Sequence, residues 1–271
     1  MKEVYRYKRV LTIAGSDPSG GAGIQADLKT VSACGCYGMS AVTAVVDENT
    51  AGVYGVHPVP VRFVEGQIRS VLDDIGTDAV KIGMLHSSRL IVAVRKCLEA
   101  YSLRNIVLDP VMVATSGDRL LQEKAIHTLK KELIPVARII TPNLPEAAIL
   151  LGGEIKESDF VRAAQALSYN RRVSVLLKAG HLSGDTVTDV FYNAEDNTVV
   201  KLASPRIDTR NTHGTGCTLS SAVAAFLARQ LPLTEAVRRG KEYIHQAIKT
   251  GAAYTTGTGH GPVHHFFGWW K

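Results

Sequence analysis

The stretch that decides the fold class is Val10-Leu-Thr-Ile-Ala-Gly-Ser-Asp-Pro-Ser-Gly-Gly-Ala-Gly-Ile-Gln-Ala-Asp27. Its opening run, Val10–Ala14, is apolar and predicts a buried strand, while Ile24–Ser32 has the spacing of a helix. The loop between them is rich in glycine, which permits positive φ angles and a close approach of ligand to backbone. It contains neither the dinucleotide-binding glycine pattern nor the lysine of a P-loop. The loop is either a flexible turn or a site, and its many small polar residues favour a site.

The same order of strand, loop and helix continues along the chain. Strands are predicted at Val10–Ala14, Ser40–Val46, Ala79–Ile82, Ile106–Leu108, Ile139–Ile140 and Val173–Leu177, with a strand pair at Val187–Tyr192 and Val199–Leu202. Helices are predicted at Ile24–Ser32, Val64–Asp73, Ser88–Tyr101, Lys124–Leu133, Thr218–Arg229 and Thr234–Tyr254. This alternation predicts an α/β fold with a central, mostly parallel sheet between helices on both faces. No linker divides the chain, so we expect a single domain over residues 1–271.

The composition narrows the class of function. The chain has 271 residues and a formal net charge of +6, from 31 basic and 25 acidic side chains. Because no basic block stands out, this charge indicates a mild bias toward anionic ligands and no nucleic-acid partner. The chain shows neither a secretory segment nor an apolar run long enough to span a bilayer. The four cysteines lack the spacing of a metal site or a disulfide framework, so we expect a cytoplasmic protein without membrane partners.

A second glycine-containing stretch, Asn211-Thr-His-Gly-Thr-Gly-Cys-Thr-Leu-Ser-Ser221, precedes a predicted helix. Free N–H groups at a helix start, together with the helix dipole, form a site for phosphate or developing negative charge. The same dipole is expected to lower the pKa of the Cys217 thiol. The alternative is an ordinary glycine turn before an amphipathic helix, with an incidental cysteine.

Polar side chains also stand at the ends of other predicted strands. Asp109, Asn143 and Glu146 offer oxygen ligands suited to a hydrated Mg²⁺, which takes one or two carboxylates and keeps its waters and substrate phosphates. Asn143 and Glu146 are equally well placed to cap the helix that follows them. Lys178, at the end of another strand, is either a solvated cation or a group that neutralises phosphate charge.

Five separate segments resemble one enzyme family. They are Thr12–Lys29, Lys81-Ile-Gly-Met-Leu85, Thr141-Pro-Asn-Leu-Pro-Glu-Ala147, Asn211-Thr-His-Gly-Thr-Gly-Cys217 and Gly261-Pro-Val-His-His-Phe266. Together they resemble the bacterial hydroxymethylpyrimidine/phosphomethylpyrimidine kinases of thiamine biosynthesis, from about residue 8 to residue 270. The resemblance implies a ribokinase-like fold, ATP and Mg²⁺ as cofactors, and a homodimer. It implies phosphorylation of 4-amino-5-hydroxymethyl-2-methylpyrimidine and then of its monophosphate to the diphosphate.

The resemblance also assigns expected roles to individual residues. The anion hole for the transferring phosphoryl group is expected at Gly214, Thr215, Gly216 and Cys217. The pyrimidine pocket is expected at Gly15, Asp27, Glu48 and Met84. The Mg-ATP side is expected at Asp109, Asn143 and Glu146, with Lys178 near the phosphates. No protein cage for the metal is expected; Mg²⁺ would arrive with ATP near Asp109 and Glu146.

Two positions depart from the patterns that the resemblance brings. The family usually has Gln where this chain has Glu48, and an ionised Glu accepts hydrogen bonds but does not donate them. Glu48 could still accept from the amine or hydroxyl of the pyrimidine, but beside an anionic monophosphate it would need a raised pKa. Ribokinase-like sugar kinases have an Asp as general base where this chain has Cys217. A thiolate there could serve as base in the first phosphorylation, and the second needs none.

Two rival functions stay open at this point. A pyridoxal kinase of the same fold is the nearer one, because a thiol at position 217 could add to an aldehyde. A ligand-binding protein that keeps the pocket without catalysis is the other, and it would bind nucleotide without producing ADP.

Overall fold

The structure is a computed structural model that describes residues 5–112, 121, 123–180 and 184–270. The strands are β1 (Arg9–Ala14), β2 (Tyr37–Val42), β3 (Ala44–Asn49), β4 (Gly52–Pro58), β5 (Ala79–Ile82), β6 (Ile106–Leu108), β7 (Ile139–Ile140), β8 (Ser174–Leu177), β9 (Thr186–Asn193) and β10 (Thr198–Pro205). The helices are α1 (Gly23–Ala33), α2 (Val61–Asp74), α3 (Ser88–Ala100), α4 (Glu123–Thr128), α5 (Leu144–Leu151), α6 (Phe160–Leu167), α7 (Thr215–Ala228) and α8 (Leu233–Gly251). The expected single domain over 1–271 stays a prediction.

Eight strands form the main sheet in the order β10-β9-β8-β7-β6-β5-β1-β2. The strands from β8 to β2 run parallel, and β9 and β10 join antiparallel at one edge. The chain passes from β1 to β2 on one side and later adds β5 on the other side of β1. The strand order therefore reverses at β1 and β5, where open α/β sheets form a crevice at the carboxyl ends of their strands.

Helices cover both faces of this sheet, as predicted. Because successive side chains of a strand point to opposite faces, Leu11 and Ile13 of β1 enter one core cluster and Val10 enters the other. The first cluster contains the buried faces of α2, α3, α4 and α6, and the second contains those of α1, α7 and α8. The α/β architecture expected from the alternation is confirmed.

The predicted strand Ser40–Val46 is wrong as a single element, because the chain changes sheets at Thr43. Strand β2 ends at Val42, and β3 pairs antiparallel with β4 in a separate two-stranded sheet. The Thr43 hydroxyl donates to the carbonyl oxygen of Met84 at 2.8 Å, which fixes the change of direction. The Gln67 side chain accepts from the N–H of Val42 at 2.9 Å and donates to its carbonyl oxygen at 3.1 Å. After Ser40, Thr43 is the only polar residue of this run, and because threonine is common within strands, the sequence pattern gives no sign of such a break.

Other boundaries differ from the predictions in smaller ways. Strand β4 and helix α6 were not among the predicted elements, and α5 was anticipated only as the helix that Asn143 and Glu146 are placed to cap, without a range. The predicted helix Lys124–Leu133 begins as α4 and continues as a π-helical turn over Leu129–Leu133. Helix α7 begins at Thr215, earlier than the predicted Thr218, so that Cys217 lies inside its first turn. No helix among the described residues is long and apolar enough to cross a bilayer.

Candidate active site

A cleft of about 570 Å³ lies at the carboxyl ends of the parallel strands. The predicted site residues that line it are Gly15, Glu48, Met84, Asp109, Asn143, Glu146, Lys178, Gly214, Thr215, Gly216 and Cys217. Parallel strands bring their carboxyl ends to one edge of a sheet, so loops that are far apart in sequence meet there. The structure thus brings together all of the predicted site residues except Asp27.

The start of α7 forms the centre of the cleft. Gly214, the N-cap residue, has a left-handed φ of 75°, and a Cβ atom there would lie 1.8 Å from the carbonyl oxygen of Gly21. The two glycine loops therefore pack backbone against backbone. Gly216 and Cys217 lie in the first turn, where N–H groups have no acceptor within their own helix. A Cβ at Gly216 would lie 3.2 Å from Lys178 Nζ, so the absence of a side chain keeps this cation close to the helix start.

Lys178 and Asp109 form an ion pair beside that helix start. Lys178 Nζ lies 2.9 Å from Asp109 Oδ1, and the Thr141 hydroxyl donates to the same oxygen at 3.0 Å. Burial opposes the charge of Lys178, but Asp109 and Glu146 hold the pKa of this lysine above its ordinary value. The pair brings a cation and a carboxylate to the place where phosphate oxygens would meet the N–H groups of α7.

Glu146 and Asn143 begin helix α5 as a capping box. The Asn143 side chain accepts from the N–H of Glu146 at 2.8 Å, and Glu146 Oε2 accepts from the N–H of Asn143 at 2.8 Å. The capping interpretation of this pair is confirmed. Burial raises the pKa of Glu146, and the negative charge of Asp109 adds to the rise while Lys178 opposes it. A positive ion brought to Asp109 and Glu146 would favour the ionised form of Glu146, so the donor set fits Mg²⁺.

The expected lowering of the Cys217 pKa is wrong for this structure. Burial raises the pKa of the thiol to about 11, although Lys81 and a hydrogen bond from the Gly23 N–H act in the opposite direction. Cys217 is only half-buried by its solvent exposure, but a helix dipole contributes about 0.3–1 kcal/mol, which is less than the cost of removing a thiolate from water. The thiol is therefore protonated at neutral pH.

Asp27 lies behind the wall of the cleft. Its carboxylate is fully buried and pairs with Lys81 Nζ at 2.8 Å, and it accepts from the hydroxyls of Thr12 at 2.5 Å and Ser221 at 2.7 Å. Lys81, which was not among the predicted site residues, lines the cleft although it is fully buried. Its signal was a lysine inside the apolar strand Ala79–Ile82. Asp27 is thus placed to hold Lys81, and its predicted contact with a pyrimidine stays a prediction.

The other end of the cleft combines an apolar wall with three titratable side chains. Val46 and Met84 pack together there with Val53 and Val111. Asp17, Glu48 and His213 lie beside this wall with their ligand atoms within 4.8 Å of one another. Asp17 and His213 were not among the predicted site residues, since each sits in a loop where polar side chains are usually solvated. Asp17 and His213 Nε2 already engage each other, so we interpret the group as a hydrogen-bonded network and not as an ion cage.

Comparison with known proteins decides the family. The model of the phosphomethylpyrimidine kinase family matches residues 17–264. The chain belongs to this family. The hydroxymethylpyrimidine/phosphomethylpyrimidine kinase of Rhizobium meliloti is 49% identical over 263 residues, which cover 96% of this chain and 98% of the relative. The resemblance to these kinases is confirmed. Membership of the phosphomethylpyrimidine kinase family identifies this protein as a phosphotransferase.

Solved structures share the fold of this phosphomethylpyrimidine kinase family member. A pyridoxal kinase from Staphylococcus aureus in complex with AMP-PCP and pyridoxal has a TM-score of 0.88 at 35% identity, covering 98% of this chain and 96% of that chain. A phosphomethylpyrimidine kinase from Clostridium difficile has a TM-score of 0.77 at 42% identity, covering 89% and 99%. The expected ribokinase-like fold is confirmed, and both substrate classes occur on it.

Proposed function

We propose that this protein transfers a phosphoryl group from ATP to the hydroxymethyl group of 4-amino-5-hydroxymethyl-2-methylpyrimidine, and then a second one to the resulting monophosphate. The observation that carries the proposal is the meeting of the α7 start, the Asp109–Lys178 pair and the Glu48 end in one cleft. Positioning and electrostatic stabilisation are most of what phosphoryl transfer requires. The domain is proposed to be single and the location cytoplasmic, as expected from the sequence.

The transferring phosphoryl group would lie between the cation and the helix start. We assign the N–H groups of Gly216 and Cys217 to its equatorial oxygens, where preorganised donors stabilise developing charge. Lys178 would offset the charge of the leaving phosphate, and its pairing with Asp109 at 2.9 Å holds it in place beforehand. Mg²⁺ bound with ATP would neutralise further phosphate charge, and Asp109 and Glu146 are the residues that would hold it.

The two ends of the cleft would receive the two substrates. Beyond the phosphate region, apolar side chains from the end of β10, the segment after it, α7 and α8 suit the planar base of a nucleotide. They are Pro205, Ile207, Leu219, Ile244 and Ile248. At the opposite end, Met84 and Val46 would pack against the pyrimidine ring. Glu48 is placed there to accept a hydrogen bond from its exocyclic amine.

Pyridoxal is the second candidate substrate, because the Staphylococcus aureus pyridoxal kinase shares the fold closely. Measured kcat/KM for hydroxymethylpyrimidine should exceed that for pyridoxal on one preparation by at least about tenfold, since the amine partner of Glu48 is missing from pyridoxal. ADP release in the presence of Mg²⁺, with EDTA as the matched control, also tests the need for the metal. A preference for pyridoxal would reverse the assignment, and nucleotide binding without ADP release would indicate a binding protein.

A further inference from the structure

The network at the pyrimidine end has one fixed member, Asp17. This carboxylate is fully buried and accepts from the N–H groups of Ser19 at 2.7 Å and Ala22 at 2.6 Å. Its Oδ2 also lies 2.9 Å from His213 Nε2. Burial alone would raise the pKa of Asp17, but these hydrogen bonds hold it below its usual range. Asp17 is thus an ionised hydrogen-bond acceptor that backbone N–H groups of the loop before α1 hold in place.

The Glu48 carboxyl group lies beside this same carboxylate, with its ligand oxygen within 4.8 Å of the ligand atoms of Asp17 and His213. Two carboxyl groups can share a hydrogen bond only when one of them carries a proton. Because backbone N–H groups and His213 already stabilise the charge on Asp17, the proton belongs on Glu48. Burial and the charge of Asp17 raise the pKa of Glu48 to about 7, and His213 lowers it.

Within the described part of the chain, Asp17 and His213 are the titratable groups that act on Glu48. Asp17 approaches from the loop between β1 and α1, and His213 approaches from the loop before α7. On the paired strand β4, the residue opposite Glu48 is Val53, which is uncharged. The proton on Glu48 is therefore governed by Asp17 and His213 among the described residues.

We propose that Glu48 binds substrate as a neutral acid, with its hydroxyl donating to Asp17 and its carbonyl oxygen facing the cleft, and that Asp17 is the positioning residue that sets this arrangement. The inference rests on the proposed function and adds the protonation state of the site. In this state Glu48 presents an acceptor to an exocyclic amine, as an amide would. It also adds no negative charge beside a phosphate monoester, so the same pocket accepts both the alcohol and its anionic monophosphate.

The pH dependence of KM for the monophosphate follows from which protonation state of Glu48 binds this substrate. Below about pH 7 Glu48 keeps its proton and adds no negative charge to that of Asp17 beside the anionic monophosphate. Above that pH Glu48 ionises, and like charges at close range oppose binding. If only the protonated form binds, KM for the monophosphate rises about tenfold between pH 6 and pH 8. The neutral hydroxymethylpyrimidine loses much less, because an ionised carboxylate still accepts from its amine.

The test compares the pH profiles of KM for the monophosphate in the wild type, Glu48→Gln and Asp47→Asn. Glu48→Gln should remove the rise, because an amide does not ionise in this range. Asp47→Asn is the matched control: this neighbouring carboxylate on β3 is exposed, and its loss should leave the wild-type profile. Because the phosphate of the substrate titrates equally in all three enzymes, its own ionisation cancels in the comparison. A Glu48→Gln profile that rises as the wild type does would overturn the proposal.

A spectroscopic measurement separates this inference from the proposed function. Infrared difference spectra between the wild type and Glu48→Gln at pH 6 should contain the band of a neutral carboxyl group, and the band should vanish by pH 9. Absence of the band at pH 6 would overturn the inference even in an active kinase. Presence of the band without ADP production from either pyrimidine would instead overturn the proposed function. Asp17→Asn should move the loss of the band to lower pH, because Glu48 then loses its charged acceptor.

Discussion

At the scale of single residues, Cys217 shows how strongly burial acts on a reactive group. The sequence places it at a helix start, which favours the thiolate, whereas burial raises the pKa of the thiol to about 11. A protonated thiol accepts no proton from a substrate hydroxyl. If Cys217 is the base of the first phosphorylation, it acts through a small thiolate fraction that grows with pH.

This gives a prediction for Cys217→Ala. General base catalysis contributes about 10²–10⁴-fold, so the first phosphorylation should slow by about that factor in single-turnover assays. The second phosphorylation, whose attacking phosphate oxygen is already ionised, should slow by much less. In the wild type, the rate of the first step should also rise about tenfold per pH unit from pH 8 to pH 9, because both values lie below the thiol pKa. Equal losses in the two steps would instead assign Cys217 to positioning.

Residues at the site differ in how far the sequence reveals them. Lys178 and Asp109 follow the ends of β8 and β6, and the parallel topology brings both side chains to the same edge of the sheet. Lys81 escaped prediction because its role depends on Asp27, which is 54 residues away in sequence and 2.8 Å away in space. Removing one partner of such a buried pair costs about 3–5 kcal/mol, because the other charge stays buried. No sequence pattern near Lys81 identifies Asp27 as its partner.

At the scale of elements, the start of α7 depends on one glycine. Gly214 has a φ of 75° and its Cα faces the carbonyl oxygen of Gly21, so that α7 and the loop before α1 touch through their backbones. The glycine pattern predicted a close approach of backbone to a ligand. The structure shows that Gly214 also permits a close approach between two stretches of backbone, its own and that of Gly21.

Gly214→Ala should therefore lower kcat/KM by about 10²-fold or more, because the two loops must separate and a misplacement of about 1 Å at a reacting group has that effect. Gly66→Ala is the matched control: Gly66 is exposed within α2, a Cβ there meets nothing within 4 Å, and its φ is not positive. This control should keep full activity and gain about 0.5–1 kcal/mol of unfolding free energy. Steady-state kinetics and thermal unfolding measure both. Activity of Gly214→Ala within about twofold of wild type would show that the loop contact does not organise the site.

The elements also show where sequence patterns fail. Strand-helix alternation located most of the sheet, because buried strands and amphipathic helices have different periods. It joined β2 to β3, since apolar residues continue on both sides of Thr43 and the break depends on the distant Met84 and Gln67. It missed α6, which has eight residues and no side-chain cap of its own.

At the scale of the whole molecule, the two-stranded sheet β3–β4 is incomplete by itself. It leaves Val45 55% exposed, Tyr54 64% exposed and Val56 41% exposed. A two-stranded sheet is marginally stable in water unless further strands or another surface cover it. This exposure supports the homodimer expected from the family resemblance, with the second copy of the chain covering β3 and β4.

Val45→Glu should then convert the protein to a monomer, because it places a charge in that interface. Val199→Glu, at a valine that is 38% exposed on β10, is the matched control and should leave the mass unchanged. Sedimentation velocity over a range of protein concentrations measures both variants. A wild type that sediments as a monomer throughout that range would contradict the dimer.

The two hydrogen bonds between the Gln67 side chain and the backbone of Val42 have a consequence beyond the change of direction at Thr43. Strand β2 lies at one end of the main sheet, and an open end of this kind is a template on which strands from other molecules can add. The amide of Gln67 has one donor and one acceptor that match the backbone of a neighbouring strand, and it occupies both outward groups of Val42. The side chain of Gln67, on helix α2, therefore closes this border at Val42 against fibril-like growth.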